Sequence, residues 1–131
     1  MKYLLTIYGD ESGWNDVTPE QSAGIMAAYE AFGRAAGEAG VLLGGEGLQP
    51  TSTATTVRVR DGETVTSDGP FAETREQLGG YYLLDCRDLD DAINWAARIP
   101  GAQQGSVEVR PVMDYEAAGS GEHSNAAEAA R

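Results

Sequence analysis

The 131-residue sequence holds one cysteine, Cys86, and one histidine, His123. A lone cysteine excludes an intrachain disulfide, and neither residue type can supply the Cys/His spacing of a zinc site. A Ser-His-Asp relay finds no histidine outside the C-terminal tail. Lys and Arg total 9 against 21 Asp and Glu, a net charge of −12. With so few cations and no basic stripe, phosphate backbones and anionic lipid surfaces are repelled, which excludes nucleic acid and membrane surfaces as partners. No apolar run approaches the roughly 18 residues of a membrane helix. Residues 1–8 are too short an apolar run for a secretory leader, so with the single thiol the expected location is cytoplasmic. The Gly44-Gly45-Glu46-Gly47 run lacks the lysine of a phosphate loop and opens no helix. No cofactor and no metal are expected.

What remains has the balance of one globular domain, 41% hydrophobic and 23% charged. Residues 2–8 read as a strand. Asp10 to Val17 reads as a polar loop whose one large apolar side chain is Trp14. Thr18-Pro19-Glu20-Gln21 predicts a capped helix start. After it Ile25, Tyr29, Phe32, Ala36 and Ala39 recur at spacings of three and four, one apolar stripe ending at Gly40. Gly33 and Gly37 within that helix point to close packing on a sheet. A second strand runs from Val41 toward Leu48, its glycines marking a bulge or a close backbone approach. Asp61-Gly62 between two β-rich runs predicts a two-residue hairpin, with Arg60 and Glu63 as a cross-strand charge pair.

Asp68 to Gln77 reads as irregular or partly extended, and Gly80 to Cys86 as a strand. Asp88 caps a second helix that presents Leu89, Ala92, Ile93 and Ala96, widened by Trp95 and Ile99. Ser106 to Val112 alternates as the last strand. The order β-α-β, hairpin, β-α-β gives an α+β fold, a ferredoxin-like split βαβ sheet with both helices on one face. Residues 1–115 form the domain, and the Ala-, Gly- and Glu-rich 116–131 a disordered tail. Tyr3, Leu5 and Ile7 alternate with Leu4, Thr6 and Tyr8, so both faces of the sheet are apolar. Two helices cover only one, and a second copy of the chain is the economical cover for the other.

The string from Asp68 to Tyr82, DGPFAETREQLGGYY, resembles the signature of the YCII-related family and within it the DGPF subgroup. Lys2–Asp10, Gly40–Pro50, Thr53–Asp61 and Gly105–Val112 resemble it as well. The resemblance implies a homodimeric α+β barrel. Some relatives look like enzymes with a His-Asp pair in the dimer cleft, and one branch is similar to a dehydrochlorinase acting on chlorinated hydroquinones. Others are encoded near extracytoplasmic-function sigma factors, which implies an accessory role in transcription as the alternative. The enzyme-like histidine would fall near Tyr29 in an ungapped match, so any chemistry here is a lyase-like proton transfer without that pair.

On this reading Asp68 and Glu76 are the candidate catalytic carboxylates, although the Asp-Gly-Pro context favours Asp68 as the acceptor of a turn, a role compatible with the first. Phe71, Tyr81, Glu46, Tyr29 and Arg58 are the candidate ligand-binding residues. The ligand would be a small polar or aromatic molecule in a cleft at the sheet face or dimer seam. Glu73 with Asp68 and Glu76 forms a prospective carboxylate cluster, and Glu46 a prospective salt bridge to Arg58 or Arg110. Cys86 reads as a buried apolar group.

Overall fold

A computed structural model of the chain describes residues 1–116. The expected tail, residues 116–131, lies outside the described residues from 117 onward.

Strand β1 (Lys2–Gly9) leads through a 3-10 segment (Glu11–Asp16) to helix α1 (Pro19–Glu38). Then follow β2 (Leu42–Gly47), a short 3-10 turn (Thr51–Thr53), the hairpin β3 (Thr55–Arg60) and β4 (Glu63–Asp68), and β5 (Gln77–Asp85). Helix α2 (Leu89–Ala97), a 3-10 turn (Pro100–Ala102) and β6 (Ser106–Pro111) complete the domain. The main sheet has the order β2-β5-β1-β6, every pair antiparallel. This is the expected ferredoxin-like α+β arrangement, an open sheet that does not close into a barrel within one chain. The hairpin forms its own two-stranded sheet.

The local signals act as their chemistry demands. Gln21 N–H donates to Thr18 Oγ1 at 3.1 Å while Thr18 N–H donates to Gln21 Oε1 at 2.9 Å, a complete capping box. Asp61 and Gly62 both take positive φ, 53° and 78°, which matches the twist of the paired strands. Asp88 accepts from Asp91 N–H at 2.9 Å and starts α2.

The core lies between one sheet face and the two helices. Tyr3 and Leu5 of β1, Leu84 of β5, Phe32 and Ala36 of α1, Ala92 and Ala96 of α2, Ile99 and Cys86 are its buried members. Leu5, Leu84 and Ile99 are fully enclosed, each worth about 1.5–3 kcal/mol on burial. Burial, with Asp91 and Asp85 nearby, pushes the Cys86 thiol above its usual range.

Four expectations fail in detail. A β-carbon on Gly33 or Gly37 would meet nothing within 4 Å, so these glycines do not permit a close approach. Leu89 and Ile93 are 49% and 47% exposed, because α2 packs along Ala92, Ala96 and Ile99, four and three residues apart. Arg60 does face Glu63 across the hairpin, yet no ion pair forms and its guanidinium donates to the Val59 carbonyl. Strand β5 begins at Gln77, three residues before the run from Gly80 that the sequence marks. Within it the β1 register shifts between Ile7 and Tyr8, where Gly79 is the extra residue. Among the described residues no helix is long and apolar enough to cross a membrane.

Candidate functional site

The sequence-predicted site residues do not converge. Asp68 ends β4 opposite Thr55 and is exposed. The Asp-Gly-Pro stretch is a turn closed through Gly69, whose φ is 92°. Its N–H donates to the Ala54 carbonyl at 2.7 Å, and its carbonyl accepts from Thr56 Oγ1 at 2.8 Å. Glu76 is half-buried and accepts from Ser106 Oγ at 2.8 Å. The carboxylate cluster is absent: among the described residues no three Asp, Glu, His or Cys side chains come together to hold a metal. The Glu46 salt bridge is absent too. Arg110 lies on β6, the far edge of the sheet from β2, and pairs with Glu108 at 2.7 Å. Arg58 belongs to the separate hairpin, half-buried and away from both cavities described next.

Two concave regions flank the end of the sheet. An open-face groove of about 1140 Å³ lies between the base of the hairpin and the uncovered sheet face. Phe71, 81% exposed, contributes to its wall with Glu76, Leu78, Leu48 and Ser106.

A smaller cavity of about 630 Å³ opens on the helix side. Its walls follow from the two-residue alternation of β1 and β5. Ile7 and Tyr82 point toward α1, whose half-buried Tyr29 and Ile25 stand one and two turns N-terminal of the core residue Phe32. There the apolar stripe of α1 outruns the packed core. The 3-10 segment brings Trp14 to the mouth. Tyr81 and Glu46 also border this cavity, but they pair with each other, and alternation turns their side chains to the open face. Of the predicted binding residues, Tyr29 alone presents its side chain to the cavity interior.

Glycine makes the space. A β-carbon on Gly45 would stand 2.6 Å from the Tyr82 ring, and one on Gly101 would stand 2.7 Å from the Tyr29 hydroxyl. The Tyr82 ring lies between Gly45 and Phe32, with the Phe32 centroid 4.8 Å away. Such an aromatic pair adds about 0.5–1.5 kcal/mol beyond burial, so this wall is held in place.

The electrostatics are one-sided. Burial raises the Tyr29 phenol above its usual range, and the nearby Gly101 backbone partly opposes the rise. Burial raises Tyr82 as well, with Tyr29 adding to it. Both phenols therefore keep their protons across the neutral range. Among the described residues no Lys, Arg or His borders the cavity, and the nearest cationic influence is that of Arg75 on Asp10 at its edge. At its edge Asp10 Oδ1 accepts from Ser12 Oγ at 2.6 Å and Ser12 N–H at 2.9 Å, which lowers that carboxyl. Glu11 accepts from Thr51 N–H at 2.8 Å and Thr51 Oγ1 at 2.7 Å. The 3-10 segment is thereby tied to the loop that follows β2, and Gln77 Oε1 holds it from β5 through Glu11 N–H at 2.9 Å.

Trp14, Tyr82, Gly101 and Gln104 escape a sequence reading as site residues. Two signals could have marked them: a lone tryptophan in a polar loop, and glycines concentrated where β2, β5 and β6 start or end.

The YCII-related domain model matches residues 1–116. An uncharacterised protein of Rhizobium meliloti (strain 1021) is 43% identical over 117 residues, covering 88% of this chain and 94% of that protein. The match spans every strand and helix described above, and on it the chain belongs to the YCII-related family.

Proposed function

We propose that the protein binds a small molecule in the helix-side cavity, with Tyr29, Tyr82 and Trp14 as the contacting side chains. The observation that carries this reading is the cavity's construction. Glycines at 45 and 101 leave room for two tyrosine side chains that face open space. A volume of about 630 Å³ lies in the range of small-molecule pockets. Apolar walls with a few polar groups are the usual pattern of such sites. Proton transfer to or from a bound molecule would fall to Tyr29, since Asp68 lies outside both cavities and Glu76 borders only the other one.

Trp14 is the reporter for the test. In a Trp95→Phe background its emission comes from the mouth of the cavity, and a bound aromatic ligand should quench or blue-shift it. A panel of phenols, aromatic acids and aromatic carbonyl compounds is screened by this signal and by thermal shift. A ligand at a hundred times its Kd adds about 2.7 kcal/mol of stability. Binding that survives Trp14→Ala and Tyr29→Phe unchanged would move the site elsewhere.

A second reading is favoured by the open face. Phe71, Leu48 and Leu78 are 81%, 50% and 39% exposed around one groove, and among the described residues no helix covers that side of the sheet. A second copy of this chain packed there would complete the cover and give the dimeric barrel. A monomer mass in sedimentation equilibrium at micromolar concentration rejects it. Recovery of a transcription factor on the same face would support the accessory role.

A further inference from the structure

We infer that the ligand of the helix-side cavity is an uncharged, ring-sized molecule bearing a hydrogen-bond acceptor, of the aromatic ketone, aldehyde or amide class, held by the hydroxyls of Tyr29 and Tyr82. The inference rests on the cavity being a binding site, and it adds the chemistry of the occupant.

Anions are disfavoured first. Among the described residues no cationic side chain borders the cavity, Arg75 reaching only the Asp10 carboxylate at its edge, and the chain carries a net charge of −12. An anion entering would lose its hydration against apolar walls without a counter-charge, a cost that only pairing offsets. Cations fare little better. The carboxylates keep their charge but stand at the edge: Asp10 is exposed and bonded by Ser12, Glu11 is bonded through both oxygens by Thr51, and neither acts on the two phenols deeper in the cavity. Glu46 directs its side chain to the other face of the sheet.

Of the polar groups that remain, the two phenols can donate, while the Gln104 amide can both donate and accept. The Tyr29 hydroxyl stands against the Gly101 backbone, 2.7 Å from where a β-carbon there would lie, and donates to no described residue, so its proton can point into the cavity. The Tyr82 hydroxyl makes no hydrogen bond to any described residue. A phenol has one O–H to give, and a desolvated donor without an acceptor costs about 1–3 kcal/mol. An acceptor on the ligand satisfies both at once. The remaining walls, Ile7, Val17, Ile25 and the Trp14 ring, suit an apolar ring body.

The test uses probes of one ring size: acetophenone, toluene, benzoate and benzylammonium. The readout is the backbone amide resonances of Gly45, Gly101 and Gly105 in ¹⁵N-labelled full-length protein. Acetophenone should shift all three saturably and bind at least about tenfold tighter than either charged probe. Tyr29→Phe with Tyr82→Phe should weaken acetophenone about tenfold and leave toluene unchanged. Amides remote from the cavity report that the double variant is folded, and Tyr29→Phe alone serves if it is not. A charged probe that binds tighter than acetophenone, or acetophenone affinity indifferent to the phenols, overturns the ligand class while the cavity stands as a site. Silence of the three glycines toward all four probes overturns the class and the cavity reading together.

Discussion

The Tyr82 ring occupies the space that a side chain at Gly45 would need: a β-carbon there would lie 2.6 Å from the ring and 2.8 Å from the Tyr81 carbonyl. The ring cannot retreat, because Phe32 packs against its other side, and the carbonyl belongs to the paired strand. Gly45→Ala should therefore cost about 1–3 kcal/mol by overpacking. Gly44→Ala, one residue away on the same strand, meets nothing within 4 Å. It should be neutral or gain about 0.4–1 kcal/mol through the unfolded chain. Urea denaturation of the two variants separates them, and equal midpoints would contradict the assigned wall.

Helix α1 offers the opposite case. Gly33 and Gly37 have open space where their side chains would stand and no positive φ. Gly33→Ala should stabilise the protein by about 0.5–1 kcal/mol, the helical cost of glycine relative to alanine. A loss of stability in thermal denaturation would mean that a neighbour, such as a second copy of the chain, lies against that turn.

These two glycines show where sequence reasoning reaches and where it stops. The caps at Thr18 and Asp88, the Asp61-Gly62 turn and the strand alternation were legible because each depends on residues within a few positions of one another. The alternation of Tyr81 and Tyr82 was legible too, but not which of them faces a cavity, since that depends on how far along the strand the helices extend. Gly33 and Gly45 look alike in sequence. Only the long-range pairing of β2 with β5 gives one of them a neighbour. Asp68 stood out within a distinctive string, yet the string supplies a turn at Gly69 and a tie from Glu76 to Ser106. Trp14 and Gln104, distant in sequence, border one cavity only through the fold.

The two half-buried phenols make stability depend on alkaline pH. Both are raised from 10.0 by burial, so above about pH 10 the unfolded chain releases these protons before the folded one does. The unfolded state then binds fewer protons, and stability falls as pH rises. The contribution is complete below pH 10 and is lost as pH climbs through the raised values. Stability measured by urea between pH 9 and 11.5 should fall more steeply in the parent than in the Tyr29→Phe, Tyr82→Phe variant. Parallel curves would place both phenols in water.

The tie between Glu11 and Thr51 predicts how the cover of the cavity is held. Its carboxylate takes two hydrogen bonds from one residue of a different loop, and a bond to a charged acceptor contributes about 1.5–3 kcal/mol. Glu11→Ala removes both acceptors at once and leaves the Thr51 amide without a partner. The Glu11 amide itself stays bonded to Gln77 Oε1, so the effect should be local. Hydrogen exchange at Thr51 should accelerate by about tenfold or more, while amides of the core strands β1 and β5 keep their protection. Because the released 3-10 segment carries Trp14, ligand affinity at the cavity should fall in the same variant. If Thr51 exchange accelerates without a loss of affinity, the segment is a cover that binds nothing, and the contact surface contracts to the two tyrosines and the apolar wall behind them.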